Sequence, residues 1–268
     1  MPRPRSARLK PEALTSEGER ISGASHHDSH LAGHQHADTL KDLAFILERQ
    51  TRLGTRAPDL LQRVHRLRHP YGVKRLTDVV LASLALIVLL PLLVGVAFAI
   101  RRTSPGPAFF RQRRLGLDGT TFEILKFRTL YLEQTDHSGR RQTMPRDPRV
   151  TPLGRTLRRW NIDELPQLIN VLRGDMSLVG PRPHVPGMIA GGRRYEKLVP
   201  YYAARLCIRP GLTGLAQVNG LRGLTVDADA ARSRIDCDIA YIAEWSPLLD
   251  FRLLWQTVKA ECRDGRGI

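Results

Sequence analysis

The sequence predicts an α+β protein: a mostly helical cytosolic domain with a small β-hairpin, anchored by a Pro-broken reentrant membrane helix and by interfacial helices. Three observations lead to this prediction. Residues 79–100 form one uncharged apolar segment, an Asp118-Gly119 turn signal separates two β-prone runs, and apolar residues recur at helical spacing in later segments. The 268 residues are enough for one large domain or two small ones.

The charge of the chain restricts its partners. Lys and Arg number 42 against 26 Asp and Glu, which gives a formal net charge of +16. A protein this basic is expected to bind anions, such as nucleic acid, acidic lipid or phosphate-bearing substrates. The three cysteines are few and widely spaced, which argues for a reducing compartment and against a disulfide framework or a zinc site.

The N-terminal region divides into two parts. Residues 1–37 are predicted to be a disordered His-rich tail, because Ser, Gly, His and Ala dominate and aliphatic anchors are almost absent. Weak metal binding by these histidines is the alternative. Residues 38–70 are predicted to form an N-terminal helix over 38–53, with Asp38 as its N-cap, and a basic connector.

Residues 71–102 are predicted to contain the reentrant membrane helix. As one straight helix, the apolar segment 79–100 would be about 33 Å long, enough to span a bilayer. Pro91 lies inside it, removes a backbone hydrogen bond and kinks the helix. Basic residues flank both ends, and positive charge marks cytoplasmic flanks. A helix that breaks at Pro91 and returns keeps both flanks on one side; an ordinary Pro-kinked span is the alternative.

The segment 108–130 carries the predicted hairpin. If its second run is a strand, Lys126 and Arg128 lie on the same face near one end. Two interpretations remain open for this pair: a phosphate clamp or a solvated basic face.

Two adjacent carboxylates, Asp163 and Glu164, lie in the segment NIDELPQLINVLRGDMSLVGPRP. Apolar residues at spacing i, i+3, i+4 and i+7 predict a helix over residues 164–172: Leu165, Leu168, Ile169 and Leu172. Pro166 suits its first turn and Gly174 its C-terminal end.

Asp163 is then expected at or near the N-cap. Unpaired N–H groups and the helix dipole would keep Asp163 ionised there and would attract a phosphate. Arg158, just upstream, adds positive charge. An ordinary acidic helix start is the alternative.

The segment DELPQLINVLRGDMSLVGPRP resembles the signature block of the bacterial sugar transferases, the monotopic phosphoglycosyl transferases. Other blocks of that family follow the family's order along about residues 71–268: KRLTDVV, GPAFFRQRRLG, FEILKFRTL, DPRVTPLGRTLRR, RPGLTGLAQVNG and DIAYIAEWSPLLDFRLLWQT. NGLRG together with AEWSPLLDF is similar to the exopolysaccharide-initiating branch.

The resemblance implies a reaction at the cytoplasmic face of the bacterial inner membrane. A nucleotide-sugar, usually a UDP-hexose, gives its sugar 1-phosphate to undecaprenyl phosphate and releases UMP, as the first membrane step of exopolysaccharide or related glycan synthesis. Asp163 would be the nucleophile that forms a covalent sugar-phosphoryl intermediate, and Glu164 the ligand of the cofactor Mg²⁺. Pro91 matches the break in the family's reentrant helix. Residues 103–268 would form the catalytic domain.

The expected substrate-binding residues are mostly basic. Arginine and lysine side chains act as charge-assisted donors to phosphate oxygens, although a structural salt bridge is the alternative for each arginine. With Asp238 from the last block added, the expected substrate-binding set is Lys126, Arg128, Arg158, Arg182 and Asp238.

The expected partners are a UDP-sugar, undecaprenyl phosphate and membrane lipid. Nucleic acid is not expected, because the chain has no recognisable binding motif and only 6% aromatic residues. Homo-oligomerisation stays open. The rival functions are a membrane-tethered basic nucleic-acid-binding protein and a magnesium-dependent phosphohydrolase with water as nucleophile.

The C-terminal segment mixes apolar and basic residues in the manner of an interfacial helix. Ordinary packing against the core is the alternative. The apolar residues concerned are Leu248, Leu249, Phe251, Leu253, Leu254, Trp255 and Val258.

Overall fold

The computed structural model describes residues 71–136, 143–144, 146–221, 223 and 227–264. The predicted tail, N-terminal helix and basic connector therefore lie outside the described residues. Helices and strands are mixed, as the sequence predicts, and a 33-residue helix, α1 (Tyr71–Thr103), begins the described chain. By length and composition α1 is able to cross a membrane.

Helix α1 continues through Pro91 as one helical element, and the predicted break at Pro91 stays a prediction. A proline removes a single N–H donor, and the remaining hydrogen bonds of a long apolar helix can preserve its helical course around it. The middle of α1 leaves large apolar side chains exposed: Val80, Leu84, Ile87, Val88, Leu90, Leu92, Val94 and Phe98.

Both ends of α1 are attached to the same folded domain. Near its start, the guanidinium of Arg75 donates to the carbonyl oxygens of Val171 and Leu172, at 2.5 and 2.8 Å. Asp78 accepts hydrogen bonds from the Ser177 hydroxyl and the Leu178 N–H. At the other end, Ile100 is buried in a cluster that includes Phe127 and Leu157.

The predicted hairpin is confirmed. Strands β1 (Phe109–Leu115) and β2 (Thr121–Phe127) pair antiparallel. The turn between them places Asp118 at φ 54° and Gly119 at φ 75°, in the left-handed region that Asp and Gly tolerate best. Side chains alternate along β1, so Phe110, Gln112 and Arg114 share one face.

The remaining elements include segments that pack against both halves of α1. They are α2 (Pro152–Arg159), α3 (Gln167–Arg173), β3 (Ser177–Val179), β4 (Ile189–Ala190), β5 (Arg193–Arg194), α4 (Tyr195–Leu198), β6 (Gly211–Thr213), α5 (Leu215–Val218), α6 (Ala228–Glu244) and α7 (Pro247–Asp264). Short 3-10 turns lie at Leu117–Gly119, Leu132–Gln134, Ile162–Glu164 and Tyr202–Cys207. Strand β3 pairs parallel with β6, and β4 pairs antiparallel with β5.

A close backbone contact accompanies the β3–β6 pair. A Cβ atom at Gly211 would lie 2.1 Å from the backbone nitrogen of Gly180, so a side chain there is excluded. This approach places the loop after β3, which carries Arg182 and His184, against the central core of α3, α4 and α6.

The last helix, α7, has one buried and one exposed apolar face. Leu253 is 1% exposed, whereas Leu248, Phe251, Trp255 and Val258 are 55–79% exposed. The exposed residues recur at helical spacing and therefore form one face. Core packing and an apolar surface thus occur on the same helix.

Candidate active site

The two adjacent carboxylates lie on a short 3-10 turn, Ile162–Glu164, ahead of helix α3. The predicted helix start at residue 164 is therefore three residues early, because α3 begins at Gln167 with Pro166 as its N-cap, and Asp163 lies near that N-cap without occupying it. Asn161 starts the turn in the left-handed region, at φ 50°. Gly174 ends α3 at φ 91°, as predicted.

The turn opens into a cavity of about 250 Å³. Its walls come from the hairpin, helix α2, the loop after β3 and helix α6. The charged and titratable residues that line it include Arg114, Lys126, Arg128, Arg158, Asp163, Glu164, Arg182, His184 and Arg234. The structure thus brings the carboxylate pair together with the four basic residues predicted from the sequence.

Glu164 is neutralised by two cations. Lys126 Nζ donates to Glu164 Oε1 at 2.7 Å, and Arg182 donates to both carboxylate oxygens at 2.6 and 3.0 Å. Burial works to raise the pKa of Glu164, but Arg182 and Lys126 outweigh it and hold this pKa well below its usual value. Glu164 is therefore ionised at neutral pH.

Asp163 has a different environment, although it is the adjacent residue. Its side chain is buried, and none of the described residues forms a hydrogen bond with its carboxyl group. Burial and the neighbouring charge of Glu164 raise the pKa of Asp163, while Lys126, Arg158 and Arg182 act in the opposite direction. This raised pKa differs from the expectation that a helix start keeps Asp163 ionised. Its oxygens are available to a reactant.

Arg158 and Arg128 differ in what they contact. Arg158 Nε donates to the Thr129 hydroxyl at 2.9 Å, which holds its guanidinium at the cavity. Arg128 is 4% exposed and donates to the carbonyl oxygens of Ser104 and Pro105, just beyond the end of α1. These contacts indicate that Arg128 joins the hairpin to α1. Arg128 also lines the cavity, and its role as a phosphate donor stays a prediction.

Asp238 does not line the cavity, so the structure gives no support to direct substrate contact by this residue. It forms a buried ion pair with Arg205, whose Nε lies 2.8 Å from the carboxylate. Arg205 also donates to the carbonyl oxygen of Arg182 at 2.6 Å. Asp238 therefore acts through Arg205 on the loop that carries Arg182.

Among the cavity residues that the sequence analysis missed are Arg114, His184 and Arg234. Arg114 could have been predicted, because strand alternation places it on the same face as Gln112 and Phe110, which also line the cavity. His184 follows Arg182 by two residues, and Arg234 comes from α6, far along the chain.

The donor set fits a magnesium ion only in part. Among the described residues, no group of three or more His, Cys, Asp and Glu could hold a metal. Mg²⁺ commonly uses one or two protein carboxylates together with water and substrate phosphates, and Asp163 with Glu164 supplies such a pair. Lys126 and Arg182 would compete with the ion for the oxygens of Glu164.

Comparison with known proteins supports the resemblance. The exopolysaccharide production protein PSS of Rhizobium leguminosarum bv. phaseoli is 48% identical over 195 residues, which cover 73% of this chain and 98% of that protein. The UDP-glucose:undecaprenyl-phosphate glucose-1-phosphate transferase of Caulobacter vibrioides is 52% identical over 185 residues, 69% of this chain and 68% of its own length. The Escherichia coli protein of the same name is 44% identical over 186 residues, 69% of this chain but only 39% of its own length.

The family model of the bacterial sugar transferases matches residues 69–264. This range includes α1, the hairpin and the whole cavity with its carboxylate pair. The resemblance drawn from the sequence blocks is confirmed, and the chain belongs to the bacterial sugar transferase family.

Proposed function

We propose that the protein transfers glucose 1-phosphate from UDP-glucose to undecaprenyl phosphate and releases UMP, as the first membrane step of exopolysaccharide synthesis. One observation of the structure carries the chemistry: Asp163 is a buried carboxyl group without a hydrogen bond from the described residues, beside a Glu164 that two cations neutralise. The substrates come from relatives whose names include UDP-glucose and undecaprenyl phosphate.

The proposed reaction has two displacements at one phosphorus atom. A carboxylate oxygen of Asp163 attacks the phosphorus that bears the glucose, the bridging P–O bond to the other phosphate breaks, and UMP leaves with the electron pair. A phosphate oxygen of undecaprenyl phosphate then attacks the same phosphorus and releases the Asp163 carboxylate. An acyl phosphate is itself energy-rich, so the intermediate is not a trap between two phosphoanhydrides.

In this proposal, basic residues of the cavity stabilise the negative charge of the phosphoryl group that is transferred. Arg158, Lys126 and Arg182 lie at the cavity wall and would donate to phosphate oxygens. A bound Mg²⁺ would supply further charge neutralisation, with Glu164 as the protein residue that would hold it. Because Lys126 and Arg182 already contact Glu164, they can exchange that contact for a phosphate when the substrate enters.

The reaction is tested by following UMP release from a set of UDP-sugars with and without undecaprenyl phosphate. We expect continuous release from UDP-glucose only when the lipid is present. Without lipid, we expect less than one UMP per protein and a mass gain of one hexose phosphate on the peptide that contains Asp163. Steady UMP release without lipid would favour the phosphohydrolase, and an adduct on another residue would contradict the role of Asp163.

We also infer that α1 is reentrant, with both ends and the catalytic domain at the cytoplasmic face of the inner membrane. Support comes from the attachments of α1, because Arg75 and Asp78 at its start and Ile100 near its end contact the same domain. The exposed apolar face of α7 supports its placement in the interface.

Cysteine labelling tests this arrangement. In a background without native cysteines, Val73→Cys and Arg102→Cys occupy exposed positions near the two ends of α1. An impermeant maleimide should label both positions from the cytoplasmic side and neither from the periplasmic side. Labelling from opposite sides would show that α1 spans the membrane.

A further inference from the structure

One end of the cavity contains buried nitrogen atoms without a protein partner. They are Arg114 Nε, His184 Nε2 and Arg234 Nε, and all three residues line the cavity. Their side chains are held in place by other contacts: Arg114 donates to the Pro183 carbonyl at 3.0 Å, and Arg234 donates to the Gly223 carbonyl at 3.2 Å. Buried polar groups are rarely left without a partner in a native protein, so a ligand is the expected partner here.

The hydrogen bonds around His184 determine which of its ring nitrogens carries the proton. Its Nδ1 lies 3.1 Å from the Tyr202 hydroxyl. The Arg205 guanidinium lies beside Tyr202, with Cζ 5.5 Å from the ring centroid. Donation from the Tyr202 hydroxyl to Nδ1 leaves the proton of the neutral imidazole on Nε2, at the cavity wall, and this is the tautomer that a donor role for His184 requires.

His184 stays neutral for an electrostatic reason. Burial lowers its pKa well below the usual value, and Arg205, Arg234, Arg114 and Arg182 lower it further. His184 Nε2 is thus a fixed, uncharged N–H donor among guanidinium groups. Arg114 Nε and Arg234 Nε are also donors, so the three unpartnered atoms require an acceptor.

The position of these donors relates them to the carboxylate pair. Phe110 lies opposite Lys126 in the hairpin, and Arg114 is four residues further along β1, about 13 Å away. Arg182, which contacts Glu164, is two residues before His184. Arg114 is nevertheless close enough to Glu164 and Arg182 for their charges to act on it, so the donors lie beside the dyad, and Arg114 lies at the end of the hairpin away from Arg128.

We propose that Arg114, His184 and Arg234 form a phosphate-binding subsite next to the dyad, and that Asp238, Arg205 and Tyr202 position His184 for it. The proposal rests on the proposed function, since it assigns a place to a phosphate group of one of its two substrates. A phosphate oxygen accepts several N–H hydrogen bonds at once, and its negative charge attracts the positively charged guanidinium groups. Two sources share this chemistry: the nucleotide donor and the lipid phosphate.

Equilibrium binding of UMP to the full chain in nanodiscs tests the nucleotide source without turnover, and the Michaelis constant for undecaprenyl phosphate tests the lipid source. His184→Phe keeps a planar ring but loses the donor, and Arg234→Gln loses the charge. We expect each variant to weaken one phosphate ligand about tenfold or more, the size of a hydrogen bond to a charged group. Arg113→Gln is the matched control, because Arg113 is exposed on the opposite face of β1 from Arg114.

The results separate the sources. Weaker UMP binding with an unchanged constant for the lipid assigns the subsite to the nucleotide, and the reverse assigns it to the lipid phosphate. If both variants keep the melting temperature of the wild type and neither ligand is weakened beyond the Arg113→Gln control, the proposal is overturned. A wild type that binds UMP but forms no lipid product would refute the proposed function. The subsite would then be judged only by how strongly the variants bind UMP.

The positioning role has its own readout. Tyr202→Phe removes the hydroxyl that donates to His184 Nδ1 while keeping the ring. We expect the ¹⁵N spectrum of His184 to show a proton on Nε2 in the wild type and a mixture of tautomers in Tyr202→Phe, with a smaller loss of phosphate binding than in His184→Phe. A wild-type spectrum with the proton on Nδ1 would contradict the positioning role.

Discussion

At the scale of the residue, Asp163 and Glu164 show how two adjacent carboxyl groups acquire different protonation behaviour. Lys126 and Arg182 both contact Glu164, so its charge is stabilised where it lies. Asp163 is buried without such contacts, and Glu164 repels its charge. Glu164 is thus a carboxylate whose charge is compensated, whereas Asp163 is a carboxyl group that is free to react.

Asp163→Asn should abolish transfer, with a loss of at least about 10³-fold in turnover, because an amide cannot form the acyl phosphate. The same change should raise the melting temperature at neutral pH, since it removes a charge that burial and Glu164 disfavour. Activity and thermal unfolding in detergent are the measurements. Asp118→Asn, at the exposed hairpin turn, is the control and should leave turnover unchanged. Substantial turnover in Asp163→Asn would argue for a direct single displacement.

The raised pKa of Asp163 also predicts opposite pH dependences for activity and stability. As the pH is lowered, activity should begin to fall while the pH is still above about 4, the ordinary pKa of aspartate. The reason is that the protonated carboxyl group is not a nucleophile. A carboxyl group whose pKa is raised by folding binds its proton more tightly in the folded state, so its contribution to stability is lost as pH rises through the raised pKa. The melting temperature of Asp163→Asn should therefore equal that of the wild type at low pH and exceed it increasingly towards neutral pH. A constant difference between the two proteins would show that Asp163 does not titrate in this window.

At the scale of the element, the hairpin and α1 are joined through Arg128. Its guanidinium donates hydrogen bonds to carbonyl oxygens that follow the last turn of α1. Beside it, Ala108 and Phe127 pack against Ile100. The position of the cavity wall relative to the membrane helix depends on this contact.

Arg128→Met should lower the free energy of unfolding by about 2 kcal/mol, because charged hydrogen bonds to buried carbonyl oxygens are lost. Unfolding in detergent measures it, with Arg113→Met on the exposed face of β1 as the control. The Michaelis constant for UDP-glucose should change little. A large rise in this Michaelis constant with unchanged stability would show that Arg128 acts as a phosphate donor.

Local signals in the sequence predicted the hairpin, and the family resemblance identified the dyad, whereas the roles of individual charges depended on distant partners. The turn at Asp118 and the alternation along β1 are short-range, so pairing followed from them. The start of α3 was misplaced because the apolar spacing continues back through the 3-10 turn. Arg128 and Arg158 look alike in sequence; only folding brings the carbonyl oxygens after α1 to one of them.

At the scale of the whole molecule, the described residues expose two large apolar surfaces: the middle of α1 and one face of α7. The net charge of +16 favours the surface of a membrane rich in anionic lipid. An exposed row of large apolar side chains on a helix is costly in water and favourable at the headgroup boundary.

Trp255 reports the placement of α7. In a protein that retains only this tryptophan, lipids brominated near the headgroup should quench its fluorescence strongly, since the side chain is 69% exposed on the apolar face. A protein that retains only Trp245 is the comparison and should be quenched less, because its indole donates to Asp250 and is partly buried. Equal and weak quenching of both would place α7 away from the lipid.

The attachment of α1 at both ends has a consequence for obtaining a water-soluble enzyme. Deleting the anchor up to Thr103 would not release an intact catalytic domain, because Ala82 and Ile100 belong to its two buried clusters. The cut would uncover Val171 on one side and Phe127 on the other. Solubilisation therefore calls for polar replacements along the lipid-exposed side of the helix, at positions such as Leu84, Ile87 and Val94, with its inward side left unchanged.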